Sequence, residues 1–480
     1  MIKGFVTSLV LLGSLALAAA CSDDSPTALT SGPQPVIFDY SPTVSDVGAL
    51  LYLSSHPNVD LLAVTLPGTG ESDCEPGVRT TRFVLDLAGK PEVPVGCGRD
   101  KPLDGYRDWP TAWRAEANAI VDEVDSEFPE QSVVDAEQLL AETLESATTP
   151  VTVVAVGPLT NLGAVLSARP ELAEKIARIV VMGGALDVPG NVEAAPTAEW
   201  NLYIDPESVR QTLASGVPML FVGLDATNAA PWNRLLLARL RLLDTEVANF
   251  EDELVSSRPL EGVFLWDELA AVIMTDPAVV TTEETKVAID DDGALLRDPT
   301  GVSVHVAVSA DGTAATDGFL RVLAGGQLPK YDPLTADETA YVNALGAARA
   351  SFDSALAEVF ADSTEDAASV RTAPELTDIF FEAITDLEAS VQAVGPPSTF
   401  ADRQQALVTS LQAIAASAAD VRTALGVPDD GDALDQFFAS VDATGIAGMF
   451  EAFSDLVRDI EDESLVRGGP SIFAVTAATD

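Results

Sequence analysis

Between residue 35 and about residue 326, short apolar runs alternate with segments of helical period. The runs are Pro35–Tyr40, Asp60–Leu66, Val93–Cys97, Val151–Val156, Arg178–Met182 and Met219–Leu224, with a later one at Val302–Val308. The helical segments between them include Val47–Ser55, Gly77–Ala88, Ala136–Ser146 and Leu159–Ala168. This alternation predicts an α/β fold, a mainly parallel sheet with helices on both faces. The first run, Val36-Ile37-Phe38, stops at Asp39-Tyr40-Ser41-Pro42 before a helix opens, with Ser45 or Asp46 placed to cap it. In such folds ligands bind at the carboxyl ends of the strands.

From about residue 331 no strand pattern remains, and Ala, Asp, Glu and Leu dominate. Helices read from Ala336–Val359, Ala373–Val394, Thr399–Leu425 and Ala433–Val466, broken by Gly395-Pro396-Pro397 and Pro428-Asp429-Asp430-Gly431. Leu407, Leu411, Ile414 and Ala418 share one face, so a C-terminal all-α helical bundle with a packed core and a solvated acidic exterior is expected. The organisation is then a signal peptide (1–20), a linker (21–34), an α/β domain (35–330) and a helical domain (331–480).

An apolar fraction of 47% over 480 residues excludes a disordered chain. A net charge of -49 with only two histidines argues against nucleic-acid binding, which needs a basic face. Lys3 precedes an apolar stretch, Phe5 to Leu17, too short for a comfortable membrane span. Ala18-Ala19-Ala20-Cys21 resembles a bacterial lipoprotein processing site, with Ala18 where leucine is more usual. The chain is therefore expected to be exported and membrane-anchored through a lipid on Cys21, a cell-surface or periplasmic lipoprotein. A secretory signal cleaved after Ala20 is the alternative. Ser22 to Gln34 is polar and fits a tether. Two further cysteines, Cys74 and Cys97, suggest a disulfide stapling two loops at one end of the sheet.

Several segments occur in an order that carries a family resemblance. Asp39, Pro42 and Asp46 fit the D-x-D-P-G-x-D-D opening of the inosine-uridine-preferring nucleoside hydrolases. Leu62-Ala63-Val64-Thr65 and Val156-Gly157-Pro158-Leu159-Thr160-Asn161-Leu162 are similar to its second strand and its G-P-L-T-N-L turn. Val180-Val181-Met182-Gly183-Gly184, Ala198-Glu199-Trp200-Asn201 with Asp205-Pro206-Glu207, Gly223-Leu224-Asp225-Ala226-Thr227 and Trp266-Asp267 follow. Gly68-Thr69-Gly70-Glu71, Cys97 to Leu103 and Trp109 to Arg114 are similar to a divergent branch, and no catalytic role is carried over from them. The resemblance does not cover the helical domain.

The resemblance implies one Ca2+ that activates water against the N-glycosidic bond of a ribonucleoside. On this chain Asp46, Asp267 and the Val156 carbonyl match metal-ligand positions. Ser41 replaces the family's combined ligand and base, and Ser45 replaces the aspartate that holds a ribose hydroxyl. A serine hydroxyl is neutral and is no base near pH 7, and Ca2+ affinity falls as carboxylates are lost. The expectation is a Ca2+ site that is weak or lost. Asp39 sits two residues too early to substitute. Asn191, Glu199 and Asn201 match ribose-contacting positions, with Met182 contributing its backbone. Trp266 stands where some members carry a histidine acid; it can stack on a base and cannot protonate one. Tyr106, Trp109 and Trp113 read equally as stacking groups over the site or as a hydrophobic cap. His56 and His305 read as structural.

Two readings follow. In one the chain is an exported nucleoside hydrolase or a relative acting on another N-riboside, on the strength of Asp46, Glu199, Asn201 and Asp267. In the other it is a catalytically inactive member, a membrane-anchored ligand- or protein-binding module, because Ser41 and Ser45 replace two functional aspartates together. A third places the function in the helical bundle. The sequence leaves open a homo-oligomer and the partner of the helical domain.

Overall fold

The computed structural model describes residues 32–123, 133–256, 258–361, 372–424, 441 and 445–473. The expected signal peptide, Cys21 and most of the linker lie outside them. Ten strands form one sheet: β1 (Gln34–Asp39), β2 (Val59–Leu66), β3 (Val95–Cys97), β4 (Val134–Asp135), β5 (Val151–Ala155), β6 (Ile176–Met182), β7 (Met219–Val222), β8 (Val280–Ile289), β9 (Leu295–Arg297) and β10 (Val302–Ala310). Their order is β4-β3-β2-β1-β5-β6-β7-β10-β8-β9. Pairing is parallel from β4 to β10, and β8 and β9 add an antiparallel edge. Gln34, assigned above to the linker, already pairs with Val59 in β1.

The helices of this region are α1 (Val44–Ser55), α2 (Cys74–Leu87), α3 (Thr111–Ala119), α4 (Ala136–Ser146), α5 (Thr160–Ala168), α6 (Trp200–Ile204), α7 (Pro206–Ala214), α8 (Leu224–Thr227), α9 (Arg234–Arg241), α10 (Glu246–Ser256), α11 (Trp266–Ile273) and α12 (Gly312–Leu323). Both sheet faces are covered. One core gathers Val36, Phe38, Val64, Val154 and Val180 against α1 and α11. The opposite core gathers Ile37, Ala63, Val153, Ile179 and Phe221 against α4, α5 and α7. Alternate residues of each central strand thus face different cores, which is why these strands are apolar without interruption.

The remaining helices are α13 (Ala336–Ala361), α14 (Ala373–Ala393), α15 (Ala401–Ala416), α16 (Ala418–Ala424) and α17 (Ile446–Val466). Tyr341, Phe352, Ile384, Leu407, Leu411, Ile414 and Phe453 build their shared core. The expected single helix Thr399–Leu425 is two, parted at Ser417, whose hydroxyl donates to the Ile414 carbonyl at 2.6 Å. Of the expected helix Ala433–Val466, Ile446–Val466 is α17, behind Gly445 at φ +73°, and residue 441 is helical; residues 433–440 and 442–444 lie outside the described residues. α17 docks on α9, with Arg241 bonded to Asp252 at 2.9 Å and Asp462 at 3.3 Å.

Cys74, the first residue of α2, and Cys97, the last of β3, form a disulfide with Cα atoms 5.7 Å apart. It ties a strand end to a helix start, on the side where the strands of the parallel sheet end.

Candidate active site

The site forms where β1, β5 and β6 end. Beyond β1 the chain turns through Ser41, which is 3% exposed. Its Oγ accepts the Glu71 backbone N–H at 2.6 Å. The loop after β2 can lie this close only because residue 70 is glycine, since a Cβ there would sit 2.5 Å from Ser41 Oγ. Thr43, rather than Ser45 or Asp46, is the N-cap of α1. Asp46 is its capping-box partner, its Oδ2 accepting the Thr43 N–H at 3.2 Å and the Thr43 hydroxyl. Ser45 is therefore inside the first turn, and its hydroxyl donates to Asp267 Oδ2 at 2.7 Å. Asp267, in the first turn of α11, comes from 222 residues away in sequence.

On the β6 side, Glu199 caps α6. Its Oε1 accepts the Asn201 N–H at 2.9 Å, and its Oε2 accepts the Gly184 N–H at 3.1 Å. Asn201 points its amide at the carbonyls of Val156 (3.2 Å) and Met182 (3.3 Å). Asn191 Oδ1 accepts the Trp200 N–H at 3.2 Å.

Ser41, Ser45, Asp46 and Asp267 line one side of a cavity of about 130 Å3, and Val156, Met182, Asn191, Glu199 and Asn201 the other. Trp266 also lines it. Asp39 is not part of it. That carboxyl is wholly buried beneath the cavity, accepting from Thr65 Oγ1 at 2.6 Å and Asn161 Nδ2 at 2.8 Å, and burial raises its pKa to about 7.

Sequence reasoning gave no role to Glu71. Its carboxyl lines this cavity, pushed to about pKa 7 mainly by burial and then by the Glu116 charge. The signal was available: an acidic residue following a strand that pairs in parallel with β1 falls at the same sheet end. Its distance to Ser41 was not, because it depends on the fold of the loop. Burial raises Asp46 and Asp267 as well. For Asp46 the neighbouring Asp267 charge adds to burial, and for Asp267 the Glu199 and Glu71 charges add while the Ser45 hydrogen bond opposes. Burial also lifts Glu199 to about 7 against its three backbone donors.

These residues fit a Ca2+ cage poorly. Ca2+ takes six to eight oxygens. Asp46 Oδ2, Asp267 Oδ2 and the Val156 carbonyl already accept hydrogen bonds from Thr43, Ser45 and Asn201, and the Ser41 hydroxyl accepts one from Glu71. Asp46 Oδ1 is the buried carboxylate oxygen here without a hydrogen-bond partner. Among the described residues no group of three or more His, Cys, Asp or Glu side chains is arranged to hold a metal ion.

The aromatic residues divide. Trp109 is 8% exposed, donates Nε1–H to the Thr69 carbonyl at 3.0 Å and stacks on Trp200 with ring centroids 5.2 Å apart. Trp113 meets Trp200 edge-on at 5.3 Å and lines the cavity. Tyr106 is 71% exposed and bonded to Asp108, away from the site. His56 accepts the Asn58 N–H at 3.0 Å beyond the far end of α1, and His305 pairs with Leu220 in β10; neither lines the cavity.

Comparison with known proteins gives a consistent result. Residues 36–317 match the model of the inosine-uridine preferring nucleoside hydrolase family. A pyrimidine-specific ribonucleoside hydrolase from Citrobacter koseri is 32% identical over 284 residues, covering 56% of this chain and 88% of that protein. Among solved structures, a plant nucleoside hydrolase superposes with a TM-score of 0.55 at 25% identity, over 61% of this chain and 99% of its own. A purine-preferring ribonucleoside hydrolase from Gardnerella vaginalis gives 0.53 at 26%, over 61% and 98%.

Proposed function

The chain belongs to the inosine-uridine preferring nucleoside hydrolase family, and from that premise we propose that it binds an N-riboside and hydrolyses its N-glycosidic bond. The observation that carries this reading is one cavity in which the Asp46 and Asp267 carboxyls face Asn201 and Glu199 at the strand ends. The sugar sits between the two sets, its hydroxyls meeting the polar atoms of Asn191, Asn201 and Ser45. Cleavage builds positive charge on the sugar ring, which carboxylates beside it stabilise. Asp46 and Asp267, held above the ordinary carboxylate range, suit the role of general base at neutral pH. One of them takes a proton from water as the water oxygen bonds to the anomeric carbon. Glu71, protonated, gives its proton to the nitrogen as the C–N bond breaks. The products are ribose and the free base.

No step is routed through a metal, because the donor set does not make a cage. A Ca2+ held by Asp46 Oδ1 and Asp267 would be bound weakly, because few charged ligands are free for it. Ser41 supports the second reading, a binding module without turnover, since its neutral hydroxyl stands where the family has its base and is engaged by Glu71. The discriminating experiment measures binding and ribose release on the same purified chain. Binding with release that is lost in Asp267→Asn supports hydrolysis. Binding without release establishes the module. Neither overturns both.

We also propose an exported, lipid-anchored location, resting on Lys3, the apolar Phe5–Leu17 stretch and Cys21. Among the described residues no helix is long and apolar enough to cross a membrane. Metabolic labelling with a fatty acid, lost in Cys21→Ser, tests it.

A further inference from the structure

The sugar-side cavity continues into a second chamber. The two share Thr43, Ser45, Glu71, Trp113 and Trp266 as walls. The chamber measures about 270 Å3, against about 130 Å3 on the sugar side. A ribosyl group and an unsubstituted purine are of similar size, so a leaving base alone would leave about half of this chamber unfilled.

Its chemistry points the same way. Val44, Val255, Leu260 and Val263 line it with Trp232 and Trp266, and α3 adds Ala117. The polar groups in its wall are largely committed. Arg258 is ion-paired with Glu116, the Ser45 hydroxyl is given to Asp267 at 2.7 Å, and the Thr43 hydroxyl goes to Asp46. A polar heterocycle edge entering here would leave its water partners and find few replacements. An apolar group of similar bulk would shed water at no such cost and meet aromatic and aliphatic walls on most sides.

We propose that the chamber selects N-ribosides whose aromatic aglycone bears a bulky apolar substituent, an alkyl or aryl group seated among Leu260, Val263, Val255 and Trp232. The inference rests on the reading that the sugar occupies the cavity of Asp46, Asp267 and Asn201. The aglycone then crosses the Trp266 wall, with Glu71 at the junction beside the bond to be broken. Leu260 and Val263 belong to the segment after α10, and the substituent would pack against that segment from inside.

The test is equilibrium binding to the full chain of two probes with the same sugar, adenosine and 6-benzylaminopurine riboside, alongside ribose release from each. The benzyl compound is expected to bind about 10- to 100-fold more tightly, as burial of one aromatic substituent predicts. Leu260→Asn and Val263→Phe, one making the wall polar and the other filling the chamber, should each abolish that preference. Both positions are half-buried, and thermal unfolding of each variant confirms folding. Equal or tighter binding of adenosine overturns the inference and leaves the hydrolase reading standing. Preferential binding without ribose release supports the inference and overturns turnover. Binding of neither probe overturns both.

Discussion

Glu71 and Ser41 are best understood as one exchange. The carboxylate expected on the strand end has gone, the loop has closed over the hydroxyl through Gly70, and a carboxyl from that loop lines the site instead. Restoring the acid by Ser41→Asp should therefore fail on its own. The new carboxylate would have to displace Gly70 and would stand against Glu71, so a loss of about 1–3 kcal/mol is expected in chemical denaturation. Ser41→Asp combined with Glu71→Ser should recover part of it. Turnover should also depend on pH. The base must be ionised and Glu71, with its pKa near 7, must be protonated. The rate should rise with pH through the titration of the Asp46–Asp267 pair and fall again as Glu71 ionises, a bell with its alkaline limb near 7. Glu71→Gln should remove that limb and lower the rate roughly 10²-fold or more. Asp46 and Asp267 were legible in the sequence because a motif spacing and a Trp-Asp pair mark them. Glu199 was legible through the Ala198-Glu199-Trp200-Asn201 segment of the resemblance, and the structure shows that its oxygens accept the first N–H groups of α6 and that of Gly184. Glu71 was not, because nothing in the sequence reports the closure of its loop.

At the level of elements, the disulfide holds the start of α2 to the end of β3, three residues beyond Glu71. It closes a loop with a sequence separation of 23. Cys74→Ser with Cys97→Ser should cost about 3 kcal/mol in denaturant unfolding, and should lower turnover more than the Leu260 and Val263 variants lower adenosine hydrolysis. The central strands were readable because burial on both faces gives unbroken apolar runs, β1, β2, β5 and β6 above all. β8 was missed for the opposite reason. Val280–Ile289 reads T-T-E-E-T-K through its middle, pairs antiparallel with β10 and keeps much of its surface partly exposed, so no apolar run marks it. β9 and β4 are too short to leave a pattern. The start of α1 was misplaced because Pro42-Thr43 precedes the apolar residues, whereas the capping box that sets the boundary depends on Thr43 and Asp46 together.

Over the whole molecule, the acidic composition acquires a specific consequence. Behind the site, on the side of α1 where Gly48 leaves room, Glu251 and Glu268 are wholly buried with no hydrogen-bond partners for their carboxyl oxygens. Burial raises Glu251 to about 8, with Asp252 adding and Arg258 opposing; Glu268 is raised by burial and by Glu251. The folded state therefore keeps protons that the unfolded chain releases above its ordinary carboxylate pKa. That stabilisation is complete below about pH 4 and is lost as pH climbs towards 8. The free energy of unfolding should fall across this window by an amount on the order of a few kcal/mol, and Glu251→Gln should flatten the fall. The helical region meets the α/β region through Arg241, Asp252 and Asp462, so Arg241→Ala should loosen that contact, read as a second transition in calorimetry.

In the proposed mechanism Asp46 and Asp267, with Glu71, cleave N-ribosides in a site that does not cage Ca2+. The measurement that meets it most directly is the initial rate of ribose release from inosine and uridine between pH 5 and 9, with chelator present, for the wild type and Asp267→Asn. A bell-shaped profile with its maximum close to neutrality is expected, with a loss of about 10²-fold or more in the variant. Release that needs added Ca2+, or that Asp267→Asn leaves unchanged, would contradict it.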